Sequence, residues 1–284
     1  MDSASEALPL LKWAGGKRQL TQAILGRLPA RMETYYEPFV GGGAIFFALY
    51  NQRRFQRAVL SDRNEELIET YRAVQADVDA VMRALRKLPH SEEAYYEIRA
   101  QRPRLPTTRA ARMIYLNRTG YNGLYRVNRA GEFNVPFGRY VRPNICDEAR
   151  LRAVARALSG VELRVADFQE VAERAGARDA VYFDPPYAPV SPTARFAEYH
   201  KQPFDDAEQL RLARLFESLV DRGVTTVLSN SYTPRTREIF GHLAHDRIEA
   251  RRSINSKKTH RGPVFELLVH GAAAKGRRAG GERR

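Results

Sequence analysis

The chain has 284 residues, is 43% hydrophobic and 28% charged, and carries 47 lysines and arginines against 33 acids, a net charge of +14. That length holds one large domain with an insertion, or two small ones. No window reaches the roughly 18 uninterrupted apolar residues of a membrane helix, the short polar start is not expected to be a signal peptide, and the single cysteine, Cys146, excludes an internal disulfide or a cysteine zinc site and fits a reducing, cytoplasmic compartment.

In chain order, residues 34–40 read as a buried strand running into Gly41, Gly42 and Gly43, and residues 44–49 as a helix. Residues 58–60 form a second short strand, closed by Asp62, and a helix is expected from Glu65 into the 80s. Strand, glycine turn, helix, strand and acid is the nucleotide-cofactor half of a doubly wound α/β sheet. Asp62 lies 21 positions after Gly41, which matches the roughly 20-residue offset of a ribose-binding acid. Residues 90–142 are rich in Arg, Pro and Tyr and read as an inserted, mainly helical subdomain carrying a β-hairpin. The α/β pattern resumes with a helix over 146–158 and strands over 161–165 and 180–183. Asp205 or Asp206 can cap a helix with an apolar stripe through Leu212, Phe216 and Leu219. A strand over 224–228 runs into Ser229-Asn230, and segments 248–254 and 264–269 look like a closing pair of strands. From 271 onward Gly, Ala and Arg without periodicity read as a basic disordered tail.

The charge is unevenly distributed: residues 99–142 hold ten arginines and one acid, Glu132. Such a segment attracts a polyanion, most simply nucleic acid. Within it, residues 117–140 interleave arginines, asparagines and aromatics. Arginine can read guanine through two hydrogen bonds, asparagine can read adenine, and an apolar or aromatic side chain can wedge between bases.

Residues 184–187, Asp-Pro-Pro-Tyr, follow an apolar strand, so they fall on the rim where open α/β sheets bind ligands. Asp184, the Pro185 carbonyl and the Tyr187 ring can hold a planar base and accept hydrogen bonds from its amino group. The glycine turn lacks the G-x-G-x-x-G pattern, since position 46 is Phe. That favours a cofactor without a pyrophosphate, and S-adenosyl-L-methionine fits, with ribose hydroxyls for Asp62 and a carboxylate for a cation. Trp13, flanked by Lys12 and Lys17, is the only tryptophan, and a lysine there can pair with that carboxylate. The six histidines are scattered, and no metal site is expected.

Together these residues resemble the Dam-type DNA adenine N6-methyltransferases, whose recognition domain is inserted between the cofactor and catalytic motifs. The resemblance runs from Leu11 to about His270, and its most specific part is 117–140, which is similar to members that modify GATC. It implies a Rossmann-like methyltransferase sheet divided into a catalytic part (8–70 and 145–270), a target-recognition insertion (71–144) and a tail (271–284). It implies a monomeric, metal-free enzyme that uses S-adenosyl-L-methionine and flips adenine out of double-stranded DNA. By position, Trp13, Lys17, Glu37, Phe39, Gly41, Gly43, Asp62, Asp167, Phe168 and Asp184 would contact the cofactor, with Asp167 and Phe168 at its adenine. Asp184, Pro185 and Tyr187 would carry the chemistry. Lys12, Tyr121, Asn122, Leu124, Arg126, Asn134, Pro136, Arg139, Arg251 and Arg252 would contact DNA. Two rival readings stand beside this one: a methyltransferase acting on another planar amine, in RNA or a glutamine side chain, and a DNA-binding module that keeps the fold without catalysis.

Overall fold

The computed structural model of the chain describes residues 5–13, 20–128, 130–187, 204–250 and 264–272. A short helix α1 (Thr21–Arg27) leads into strand β1 (Met32–Glu37), five of whose six residues are buried. Both of its faces are therefore covered, as a central parallel strand requires. β1 ends at Glu37, earlier than the expected 40. Pro38 has no N–H to continue the ladder, and Val40 N instead donates to Ser61 O at 3.0 Å. Helix α2 (Ala44–Asn51) and strand β2 (Phe55–Asp62) follow. The single helix expected from Glu65 is two, α3 (Glu65–Ala76) and α4 (Val78–Leu85). Asp77 leaves the helical region, at φ −153° and ψ 82°, and its carboxylate caps Ala80 N. Aspartate competes with the helix in this way wherever its side chain can bond the backbone ahead of it.

Helices α5 (Glu92–Ala100), α6 (Pro106–Thr119) and α7 (Glu148–Leu158) fill the crossover from β2 to β3 (Glu162–Val165). A short α8 (Val171–Arg174) leads to β4 (Ala180–Phe183). Helix α9 (Asp206–Asp221) is capped by Asp205, which accepts from Glu208 N, and leads to β5 (Thr225–Ser231). Helix α10 (Pro234–Phe240) precedes β6 (His245–Ala250), and β7 (Val264–Gly271) closes the sheet. The proposed strand residues 251–254 and the tail beyond 272 lie outside the described residues.

The strand order is β3-β2-β1-β4-β5-β7-β6. Strands β1 to β5 pair in parallel, and β7 runs antiparallel to both β5 and β6. The chain steps outward from β1 to β3 and then returns to lay β4 on the other side of β1. The switch point, where a ligand crevice opens beyond the carboxyl ends, thus lies between β1 and β4. Alternate residues of the central strands feed opposite layers. Tyr35 and Tyr182 join the core under α1 to α7, whereas Tyr36, Val181 and Phe183 join the one under α9. This is a mixed α/β, Rossmann-like three-layer arrangement, as the sequence pattern requires.

Among the described residues, the expected recognition segment shares the core of the sheet. Tyr95, Ile98, Tyr115, Leu116, Phe133 and Val135 belong to the same apolar cluster as Tyr35 and Leu268, and position 71 falls inside α3. The hairpin carries isolated bridges, Gly120 with Phe137 and Val127 with Phe133, in place of regular strands. Asn122 and Gly123 turn into left-handed backbone, φ 55° and 63°, and Pro136 offers no N–H, so no ladder extends between the bridges. Its tip is organised by Asn128, whose Oδ1 accepts from Ala130 N at 3.0 Å and Glu132 N at 2.9 Å.

Candidate active site

The crevice floor is built from the carboxyl ends of β1, β2 and β4. Gly41 and Gly43 adopt φ +46° and +69°, left-handed values that favour glycine. A Cβ on Gly41 would also lie 2.6 Å from the Trp13 indole. The turn is pinned at both ends: Gly41 N donates to Asp62 Oδ2 at 3.1 Å, and the Tyr71 hydroxyl donates to Gly41 O at 2.9 Å. Asp62 also accepts from Asn64 N at 2.9 Å.

Glu37 lies beneath this turn, 3% exposed. Its Oε2 accepts from the Tyr35 hydroxyl at 2.8 Å and from Phe46 N at 3.1 Å. Phe46 N is an orphan donor in the first turn of α2, whose N-cap, Gly43, has no side chain to offer. Glu37 therefore supplies the cap from the strand below. Burial, above all, raises its carboxyl from 4.5 to about 8, and the nearby Asp184 charge pushes the same way, while the Tyr35 and Phe46 hydrogen bonds oppose both.

Beside the turn, the half-buried Phe39 ring stacks on Phe168 with centroids 5.4 Å apart, and the Arg211 guanidinium lies 4.6 Å from the Phe168 centroid. Asp167 caps the 3₁₀ turn 168–170 through Gln169 N and is gripped by Arg63 and Arg211, both of which also reach Glu208. Burial works against ionisation of Asp167, but hydrogen bonds from Arg63 and Gln169 N, with the charges of Arg63 and Arg211, hold its carboxyl below the usual range.

On the other side of β1, Asp184 begins the turn after β4. Its Oδ1 accepts from Ser229 Oγ at 3.1 Å, and Ser229 Oγ is 2.8 Å from the Tyr182 hydroxyl. Pro186 O accepts from Gln209 Nε2 at 3.3 Å, and Gln209 Oε1 accepts from Asn230 Nδ2 at 3.0 Å. The Tyr187 hydroxyl donates to Glu266 Oε2 at 2.6 Å. Burial and the charges of Asp184 and Glu266 raise this phenol well above 10, so it stays protonated. The arrangement is a carboxylate, a proline carbonyl and an aromatic ring fixed from three neighbouring elements.

The N-terminal segment joins this floor to the 117–140 hairpin. Trp13 stacks on Tyr125 at 5.2 Å, and the Tyr125 hydroxyl donates to Glu66 Oε2 at 3.0 Å. Lys12 lies along Gly123, with Nζ 5.4 Å from the Tyr140 centroid. Buried Asn117 ties the two together: it accepts from Lys12 N at 2.9 Å and donates to Lys12 O at 2.8 Å and Gly123 O at 2.9 Å.

Among the expected DNA contacts, Arg126 is exposed and braced by Asn134, donating from Nε to Oδ1 at 2.7 Å and from Nη2 to the backbone O at 3.1 Å. Tyr121 is 52% exposed, whereas Leu124 is half-buried against the core. Pro136 and Arg139 are exposed, Asn122 is half-buried, and Arg139 lies 3.7 Å from Glu92. The ten-arginine segment is less uniform than its composition suggests. Arg112 is buried on Glu66, Ile98 O and Arg99 O, and Arg118 reaches inward to Leu10 O. Lys17, Arg251 and Arg252 lie outside the described residues. Sequence reading did not single out Glu266, Gln209, Asn117, Tyr125 or Arg211 as site residues.

The model of the D12 class N6 adenine-specific DNA methyltransferases matches residues 13–254. The chain belongs to this family. It is 40% identical over 288 residues to the type II methyltransferase M.MjaIII of Methanocaldococcus jannaschii, covering 93% of this chain and 99% of that protein. It is also 40% identical over 265 residues to the DNA adenine methylase of Escherichia coli, covering 91% and 93%. A third relative, the type II methyltransferase M1.LlaDCHI of Lactococcus lactis subsp. cremoris, is 36% identical over 271 residues, covering 92% and 94%. The chain is thus an adenine-specific DNA methyltransferase. Among the described residues no helix is long and apolar enough to cross a membrane, and no three potential ligands cluster in a way that would hold a metal.

Proposed function

We propose that this enzyme transfers the methyl group of S-adenosyl-L-methionine to N6 of an adenine flipped out of duplex DNA, with GATC as its target. The observation that carries the reading is the fixed Asp184–Tyr187 turn at the switch point, beside the glycine turn. The residues present fit the cofactor: a left-handed glycine backbone, the Asp62 carboxylate at the end of β2, and the half-buried Phe39 ring over Phe168. Trp13, Gly41, Gly43 and Asp62 would hold it along the turn, Phe39, Asp167 and Phe168 would surround its adenine, and Lys17 would meet its carboxylate. Glu37 serves that site by holding the turn in shape. When bound, S-adenosyl-L-methionine supplies a methyl group activated by its sulfonium.

Adenine N6 is a weak nucleophile because its lone pair is conjugated into the ring, and a duplex hides it, so the base must leave the stack at a cost of a few kcal/mol. Tyr187 stacks on the extruded base. The Asp184 carboxylate and the Pro185 carbonyl accept its two amino hydrogens and free the lone pair for attack. Positioning of this kind can supply roughly 7–11 kcal/mol of the barrier. Residues 71–144 read the target, and residues 8–70 and 145–270 carry the chemistry. Of the two wedge candidates, Tyr121 has the exposed ring that can fill the gap left in the stack. Arg126 keeps three of its five N–H donors clear of the two bonds to Asn134, enough for a fork onto guanine O6 and N7. Lys12, Asn122, Leu124, Pro136, Arg139, Arg251 and Arg252 complete the DNA surface.

The test is methyl transfer from labelled cofactor into unmethylated GATC duplex, duplexes changed at one base pair, and RNA, with the product digested to nucleosides. N6-methyladenine formed on GATC duplex alone is expected. Equal transfer to all duplexes refutes the target, and transfer to RNA refutes the substrate.

A further inference from the structure

The aromatic ring of the catalytic turn is held by a group that none of the expected site residues supplies. The Tyr187 hydroxyl donates to Glu266 Oε2 at 2.6 Å, at the short end of the O–H···O range. Glu266 pairs with Ser231 of β5 and Ile248 of β6, at the end of β7 nearest the site, and the next three residues, Leu267, Leu268 and Val269, are fully buried. Asp184 is held from β5 and the Pro186 carbonyl from α9. The contact from β7 acts on the ring itself.

We propose that Glu266 is a positioning residue for methyl transfer, its carboxylate fixing the Tyr187 hydroxyl and with it the plane on which the target base stacks. The inference rests on Tyr187 as the stacking partner in the function proposed above. A stacked base has no covalent tether, so the ring's orientation sets where N6 points. An error near 1 Å at a reacting centre can cost about 10²-fold in rate. A hydrogen bond at the far edge of the ring restrains both its tilt and its swing about the side-chain torsions, which packing on its faces alone does not.

The experiment compares Glu266→Ala, Glu266→Gln, Tyr187→Phe and the double variant Glu266→Ala/Tyr187→Phe in the full-length enzyme, with Asp184→Ala alongside. Turnover is measured on unmethylated duplex together with KM for duplex and cofactor. Glu266→Ala and Tyr187→Phe should each lower kcat by about 10- to 100-fold, with KM within about threefold of wild type. The double variant should be no worse than either single one, because both remove the same contact. Glu266→Gln keeps an acceptor oxygen and should recover most of the lost turnover. Multiplying losses in the double variant, a Gln variant as impaired as Ala, or wild-type turnover in Tyr187→Phe each overturn the proposal. Tyr187→Phe keeps the ring's volume, so the comparison stands even where Glu266→Ala fails to fold. If Asp184→Ala keeps wild-type turnover, it is the assignment of the active site that fails instead.

Discussion

Replacing Glu37 with glutamine should stabilise this enzyme, and by more as the pH rises. The carboxyl is 3% exposed and its Oε2 accepts from two donors, the Tyr35 hydroxyl and Phe46 N. An amide oxygen can accept both bonds without bringing a charge into the core. Folding raises this carboxyl from 4.5 to about 8, so between those values the folded chain holds a proton that the unfolded chain has released. Stability therefore falls as pH rises through that window, with the contribution fully present below 4.5 and lost above about 8. The slope is about 1.4 kcal/mol per pH unit in mid-window, and the interval sums to roughly 5 kcal/mol. Glutamine does not titrate, so its variant lacks this slope.

Urea unfolding of both proteins at pH 6, 7 and 8 measures the effect, and the difference between them cancels the histidines and other titrating groups that they share. The variant's advantage should widen by about 2 kcal/mol across that range. Parallel curves would refute the reasoning, because they would mean that Glu37 is already ionised at pH 6 and that the crevice floor is wetter than its burial indicates. Asp184→Asn removes one of the two causes of the raised value, so in that background the window should narrow from its upper end.

Asp184→Ala should lower kcat by at least about 10²-fold while duplex affinity is kept; single-turnover methyl transfer and a duplex-binding titration check it together. Arg126→Ala should lose roughly 1–3 kcal/mol of discrimination at one guanine only, read as kcat/KM on duplexes changed singly at each position, whereas uniform loss would make Arg126 a backbone clamp. Arg142, exposed at the edge of the basic segment, and the buried Arg112 should separate: Arg142→Ala should lower the salt slope of duplex binding by about one, and Arg112→Ala should instead cost about 3–5 kcal/mol of stability, because it strands a partly buried Glu66 carboxylate.

The sequence made the contiguous parts of the site legible. A strand ending in glycines, an acid 21 residues on, and Asp-Pro-Pro-Tyr after an apolar run all state their chemistry locally, and the sheet brings Glu37, Gly41, Asp62 and Asp184 to one rim. What it concealed depends on distant partners. Glu266 is 79 positions from Tyr187, and Asn117 is 105 from Lys12; nothing local marks Glu266, and Asn117, though it opens the 117–140 motif, carries no local sign of its partner. The Asp77 break was hidden for a different reason. The apolar periodicity of α3 and α4 is nearly in phase across it, so periodicity alone reads one helix where the capping carboxylate makes two. The basic segment misled through composition, which counts Arg112 equally with Arg142 although one faces the core and the other water.

The lone tryptophan packs the glycine turn against the 117–140 hairpin. Trp13 takes the space that a side chain on Gly41 would need, and its ring stacks on Tyr125 of the hairpin. Tyr125 in turn bonds Glu66, in the first turn of α3 just after Asp62, and Arg112 of α6 bonds the same carboxylate. Among the described residues the 117–140 hairpin shares the apolar cluster of the sheet, and contacts such as these hold it in place. Truncating the Trp13 ring therefore removes packing from the glycine turn and from the hairpin at once. A loss of activity at Trp13 reports that shared packing as much as any contact with the cofactor, and only substitutions on one side of the stack, such as Tyr125→Leu for the hairpin, can divide the two.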